Sequence, residues 1–126
     1  MPPVLLVFLG GAIGGGVRIL LDELIPSVGA VPWDLLTINV VGSAVLGAVA
    51  GWSIIMGKKW WQPMVGPGML GGFTTFSSVA ALTWSAQAGI AQGLLVLAGT
   101  MVVAVLAAAV GWRWGIRRAD SQAAEL

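Results

Sequence analysis

The chain contains no cysteine, no histidine and no tyrosine, and it carries few charges. Without cysteine and histidine it has no disulfides, no thiol chemistry, no zinc site of the usual ligands and no histidine-based acid–base catalysis. Only 9% of the 126 residues are charged, against about a quarter in soluble domains. With 58% hydrophobic residues, a mean hydropathy of +0.96 and a net charge of +1, the chain is predicted to be a membrane protein. Neither enzyme chemistry nor a nucleic-acid partner is indicated.

Four stretches are apolar enough and long enough, at about 20 residues, to cross a bilayer as helices. They cover about residues 4–21, 35–55, 62–84 and 90–112, with short connections between them. We therefore expect an all-α membrane protein with four transmembrane helices in a single domain, residues 1–126. The third stretch is the least hydrophobic, and its Gly71-Gly72-Phe73-Thr74-Thr75 run is poor helix-forming material. We expect this helix to be broken near its middle, between Gly71 and Thr75.

Basic residues lie mostly on one predicted side of the membrane. That side holds Lys58, Lys59, Arg113, Arg117 and Arg118, whereas the other side holds only Arg18. Lys and Arg near the ends of spans mark the cytoplasmic face, so both termini are predicted to be cytoplasmic in a cell inner (plasma) membrane protein. Most of the seven tryptophans fall at predicted span ends, where they are expected to act as interface anchors.

Polar residues inside the spans are the default places to look for function, because they are costly there. Asn39 and Ser43 lie four residues apart in the second span and share one helix face. Asn39 either forms an interhelical hydrogen bond or offers a donor to an anion path. The glycines nearby, Gly42 and Gly47, are better explained by packing than by chemistry.

No Asp or Glu lies within a predicted span. A proton-coupled exporter of the small multidrug type needs a titratable carboxylate at mid-membrane, so that function is disfavoured and passive permeation or a structural role remains. Four helices fill the centre of their own bundle. We therefore expect transport by so short a chain to need a second copy or a partner.

Three motifs occur in order along the chain: Gly10–Arg18 (GGAIGGGVR), Thr37–Ser43 (TINVVGS) and Gly71–Ser77 (GGFTTFS). Together they resemble the Fluc (CrcB) family of fluoride channels over essentially the whole chain. The resemblance implies an antiparallel, dual-topology dimer of four-helix subunits with a fluoride pore in each half. It also implies a structural sodium ion at the dimer interface, held by backbone carbonyls of Gly71 and Thr74.

For the pore, the resemblance implies roles for Asn39 and for Phe76, whose ring edge carries positive charge density that suits a small anion. Thr100, Ser43 and Arg18 are further candidates, with Arg18 either attracting anions or anchoring the first helix. The implied activity is passive export of fluoride from the cytoplasm, with membrane lipid, fluoride and a second subunit as the only partners.

The chain departs from the family pattern at two positions expected to line a pore. Val79 stands where the family commonly has a second Phe, and Val96 stands where it has Tyr. These apolar residues and the one-sided basic charge also suit a non-conducting or half-conducting subunit of a heterodimeric channel. Homodimer and heterodimer both remain open, and a multidrug-type exporter is the third reading.

Overall fold

The computed structural model describes residues 1–25, 33–73 and 89–126, and every regular element in these ranges is helical. The elements are α1 (Pro3–Leu24), α2 (Trp33–Met56), a π-helical segment (Met64–Leu70), the short α3 that continues it (Gly71–Phe73) and α4 (Ile90–Ala124). Three helices, Pro3–Leu24, Leu36–Met56 and Ile90–Ala124, are long and apolar enough to cross a membrane. The prediction of an all-helical membrane protein is confirmed. Residues 74–84 of the predicted third span lie outside the described residues.

Helix ends follow from local sequence signals. Pro3 occupies the first position of α1, where its missing N–H costs nothing and its fixed φ suits a helix. Helix α2 is terminated by Gly57, which has φ +77 and donates its N–H to the Ser53 carbonyl at 3.0 Å. Glycine adopts this left-handed conformation without the steric cost that a side chain would add, so it is the usual residue just after a helix.

Helices α2 and α4 pack along each other and form the most extensive contact between elements in the described chain. Glycines of both helices make the contact possible: a Cβ on Gly47 or Gly111 would collide with the backbone of Ala108 or Ala44 respectively. The next turn repeats this arrangement, with Gly51 against Trp112 and Gly115 against Ala48. The packing role predicted for Gly47 is therefore confirmed. Small residues at this spacing let two backbones approach closely, as is common between membrane helices.

The same contacts give the relative direction of the two helices. The contacting residues advance in the same direction along both helices, from Ala44 with Gly111 to Ala48 with Gly115. Helices α2 and α4 therefore run parallel. Helix α2 is 24 residues long, which corresponds to about 36 Å.

Helix α1 packs mainly against the π-helical segment and α3. Gly10 lies against the backbone of Met64, and Gly14 lies against the backbone of Met69, with no room for a Cβ at either glycine. Gly72 of α3 packs in the same way: a Cβ built on it would lie only 2.6 Å from the carbonyl oxygen of Gly11. The first glycine motif is thus explained by close packing of α1 on the start of the third predicted span.

The third predicted span departs from α-helical winding earlier than expected. Residues Met64–Leu70 are π-helical and include Pro67, which has no N–H to donate, while Gly71–Phe73 is α-helical. Gly71 itself is in the right-handed helical region, and its N–H points to the carbonyls of Gly66 and Gly68. A break between Gly71 and Thr75 stays a prediction, because only residues 71–73 of that range are described. The wider winding starts before it, and Thr74 and Thr75 lie outside the described residues.

Basic residues collect at one end of the molecule. The Trp52 indole of α2 donates to Gln122 of α4 at 2.8 Å, so the last turns of both helices lie side by side. Lys58 and Lys59, which follow α2, therefore share an end with the three arginines of α4. Arg18 belongs to the opposite end, because α1 finishes where the short connection to the start of α2 begins.

Candidate anion path and cation site

Asn39 is a buried polar residue of α2, with 7% of its surface exposed. At about 100° per residue it lies about 130° around the helix axis from the middle of the contact with α4. It therefore lies away from the middle of that contact, and the adjacent Ile38 is buried as well. Ser43, one turn further, is half-buried beside it. The second motif therefore presents its amide and hydroxyl on one face of α2.

Thr100 is also buried, with 6% of its surface exposed, but it lies elsewhere. It shares a side of α4 with Gly111 and Gly115, which contact α2. Its hydroxyl donates to the Val96 carbonyl at 2.8 Å. Thr100 therefore offers oxygen lone pairs rather than a proton.

Arg18 is half-buried on α1, six residues before the end of the helix at Leu24. Asp22 follows four residues later on the same face of the helix. Opposite charges at this spacing attract, so the carboxylate offsets the positive potential that Arg18 presents. Whether Arg18 attracts anions or anchors the first helix stays a prediction.

Gly71 is exposed, and a Cβ built on it meets no atom within 4 Å. Its backbone is therefore open to a second chain or to an ion, unlike that of Gly72 next to it. No group of three or more acidic residues that could hold a metal occurs in the described ranges, and the chain has neither histidine nor cysteine. A cation bound in this part of the molecule would take backbone or hydroxyl oxygens as ligands.

Phe76, Thr74 and Val79 lie outside the described residues, so the structure does not place them. Val96 is half-buried on α4, and its carbonyl accepts the Thr100 hydroxyl. The structure thus brings Asn39 and Ser43 together on one face and leaves Thr100 and Arg18 on other surfaces.

Sequence reasoning missed a set of polar contacts at the basic end. Gln62 donates to the Ser53 hydroxyl at 2.7 Å, and Ser53 donates to the Val49 carbonyl of its own helix at 2.6 Å. Trp52 packs against Trp61 with ring centroids 5.8 Å apart. The stop signal at Gly57 and the short connection after it indicate a tight turn, but not which side chains pair across it.

The family model described as "CrcB-like protein, Camphor Resistance (CrcB)" matches residues 5–112. The chain belongs to the CrcB-like family. The match includes Arg18, Asn39, Ser43, Gly71 and Thr100. Membership in this family confirms the resemblance drawn from the three glycine-rich motifs.

Relatives of this CrcB-like chain carry a more specific description. It is 41% identical over 115 residues to the fluoride-specific ion channel FluC 1 of Rhodococcus jostii, covering 91% of this chain and 86% of the relative. It is also 41% identical over 115 residues to FluC of Paramagnetospirillum magneticum, covering 84% and 89%. The FluC 2 protein of Corynebacterium jeikeium is 36% identical over 140 residues, covering 91% and 80%. These relatives are ion channels by name, so the prediction that the chain is not an enzyme is confirmed by its family.

Proposed function

We propose that the chain is a passive, fluoride-selective channel that exports fluoride from the cytoplasm. The observation that carries the proposal is its 41% identity to a fluoride-specific ion channel over 91% of its length. The chemistry of the chain agrees, since the described helices hold buried amide and hydroxyl groups and no cluster of acidic residues that would repel an anion. A cell interior at negative potential favours exit of the anion by about 2.3 kcal/mol per 100 mV.

In this proposal Asn39 provides the polar contact for fluoride on α2, with Ser43 one turn further along the path. The amide N–H groups replace part of the hydration shell that a small anion loses in a narrow pore. Phe76 provides the positive edge of its ring, which stabilises an anion more weakly than a full charge and so lets it leave. Thr100 and Arg18 take secondary roles, Thr100 because its hydroxyl proton is held by Val96.

The pores of the proposed channel form in an antiparallel dimer with a structural sodium ion at its centre. Carbonyl oxygens of Gly71 and Thr74 from both subunits would hold the ion, which supplies positive charge where two helix segments meet. The open space around Gly71 supports this assignment, because a second chain can reach its backbone there. Oxygen ligands from interrupted helices are a common way to bind sodium inside membranes.

The orientation in the membrane is part of the proposal. Five of the six Lys and Arg residues lie at one end of the molecule, and this end would face the cytoplasm together with both termini. The cell inner (plasma) membrane is the expected location.

Fluoride efflux from liposomes that contain the purified chain tests the proposal, with chloride efflux measured in parallel. Asn39→Asp places a negative charge on the proposed path, and Phe76→Ile removes the aromatic edge. We expect each to lower fluoride efflux at least tenfold while size-exclusion chromatography still shows a folded dimer. Gln92→Glu, an exposed residue near the start of α4, is the charge-matched control and should conduct normally.

Wild-type efflux from both Asn39→Asp and Phe76→Ile would show that the pore assignment is wrong. Equal efflux of chloride and fluoride from the unmodified chain would contradict fluoride selectivity.

A second candidate is a subunit that conducts only beside an oppositely oriented paralogue. The collection of five basic residues at one end favours it, since a self-paired antiparallel dimer needs one sequence to insert in both directions. This candidate predicts that a folded sample of this chain alone releases no fluoride. Co-reconstitution with a paralogue of opposite charge bias would then restore fluoride efflux, a result that the homodimer does not predict.

A further inference from the structure

A groove of about 410 Å³ lies where α2, α4 and the start of the third predicted span meet at the basic end. Its α2 wall is apolar and includes Val45, Ala48 and Val49. Its α4 wall is formed by Trp114, Arg118 and Gln122, with Arg118 exposed. The groove is thus apolar on one side and cationic on the other.

The two walls differ because of how the helices are paired. Gly115 of α4 packs on Ala48 of α2, so Arg118, three residues after Gly115, lies about one helical turn from the apolar wall of Val45, Ala48 and Val49. An apolar surface and a guanidinium therefore occur at the same height along the molecule. This arrangement suits a molecule that carries an acyl chain and an anionic group close together.

Tryptophans surround the groove at this height. Trp52 and Trp61 form one edge and contact each other, and Trp114, with 60% of its surface exposed, lies on the α4 side. Tryptophan is enriched at the level of lipid headgroups, where its ring is partly apolar and its N–H is polar. Three tryptophans at one level are therefore typical of the headgroup region of a bilayer.

We propose that this groove binds an anionic phospholipid, with the phosphate at Arg118 and an acyl chain along Val45, Ala48 and Val49. Basic pockets between transmembrane helices recognise anionic headgroups. The proposal does not depend on fluoride conduction. It concerns a lipid that stabilises the pairing of α2 with α4 at their shared end.

The test uses the full-length protein in detergent, with thermal unfolding and native mass spectrometry as readouts. Phosphatidylglycerol is titrated in, and phosphatidylcholine and inorganic phosphate serve as separate arms. We expect phosphatidylglycerol alone to raise the melting temperature and to remain bound in the gas phase. Arg118→Gln should weaken its binding about fivefold, the effect of one lost charge near a lipid surface.

Arg117→Gln is the matched control, because Arg117 is an exposed arginine on the same helix that does not line the groove. It should bind phosphatidylglycerol within twofold of the wild type. Val45→Phe fills the apolar wall without changing charge, and it should weaken lipid binding while the fold is kept, since Val45 is 41% exposed.

Equal loss in the Arg117 and Arg118 variants would overturn the proposal, because binding would then follow net charge. Equal stabilisation by inorganic phosphate or phosphatidylcholine would also overturn it. A Val45→Phe variant that binds phosphatidylglycerol as the wild type does, or that loses its dimer instead, would show that the groove is empty or covered by a second copy.

Discussion

The contact of α2 with α4 and the layer of α1 with the π-helical segment use glycine differently. Between α2 and α4, the glycines from Gly47 to Gly51 and from Gly111 to Gly115 all have a backbone atom of the other helix where a Cβ would stand. In the α1 layer some glycines are used in this way, but Gly15, Gly16 and Gly71 face open space. In the contact of α2 with α4, each of these glycines packs against the other helix of the same chain. In the layer of α1 with the π-helical segment, Gly15, Gly16 and Gly71 pack against no other helix of the described chain.

The comparison predicts the largest effect for a side chain added between α2 and α4. Gly111→Ala would place its methyl group onto the Ala44 carbonyl, so the helices would have to separate. We expect a loss of about 1–3 kcal/mol in the free energy of unfolding, the range for overpacked cores. Thermal unfolding in detergent measures it.

Gly99→Ala is the control for this variant, since Gly99 is also on α4 and a Cβ there meets nothing within 4 Å. Its stability should be unchanged or higher, because alanine favours helix more than glycine does. If Gly111→Ala were as stable as Gly99→Ala, glycines packed against the other helix would not differ in stability from glycines that face open space.

Gly71→Ala sharpens the other half of the comparison. The single chain has room for the methyl group, so helix content measured by circular dichroism should stay as in the wild type. If a second subunit and a sodium ion lie against this backbone, as proposed, the dimer fraction and fluoride efflux should both fall at least tenfold. Size-exclusion chromatography and liposome efflux provide the two readings, and an intact, conducting dimer would place the interface elsewhere.

Thr100→Val should lower fluoride efflux less than Asn39→Asp does. The comparison tests whether the proposed fluoride path runs along α2 at Asn39 rather than along α4 at Thr100. The hydroxyl is bonded within its own helix, so we expect fluoride efflux to fall less than threefold and Thr100→Ser to conduct normally. Loss of efflux as complete as that predicted for Asn39→Asp would mean that Thr100 contacts the ion directly.

Ser53→Ala tests how strongly the two layers are joined at the basic end. Ser53 belongs to α2 and accepts a hydrogen bond from Gln62 at the start of the other layer. Its loss should lower the free energy of unfolding by about 1 kcal/mol, as for a typical hydrogen bond. Ser121→Ala is the control, because the Ser121 hydroxyl bonds only the Arg117 carbonyl of its own exposed turn in the described structure. Equal melting temperatures of the two variants would show that this link does not matter.

Several features of the site were predictable. The low charge and the long apolar stretches were enough to predict an all-helical membrane protein, and the three glycine-rich motifs were enough to predict the family. The packing role of Gly47 followed from its small size in an apolar helix. The burial of Asn39 followed from its position in the middle of a motif surrounded by apolar residues.

Other features were not predictable from local patterns. The glycines at the middle of the third span suggested a break between Gly71 and Thr75, a range of which only residues 71–73 are described and are helical, whereas the π-helical winding at Met64–Leu70 was not predicted. Proline and glycine lower the preference for regular α-helix, but they do not fix at which residue the winding changes. Here the close approach of Gly10 and Gly14 to Met64 and Met69 accompanies the π-helical turns.

Composition and hydropathy were thus sufficient to predict the class of protein, because each segment in lipid must satisfy its own backbone hydrogen bonds as a helix. The order of the three motifs was sufficient to predict the family. The tertiary structure decided which helices pair, in what direction, and which glycines stay open. A stripe of glycine permits close approach but does not select a partner, since many small-residue surfaces fit one another. The parallel pairing of α2 with α4 places Arg118 beside an apolar wall, whereas Gly71 faces outward next to Gly72, which packs on α1.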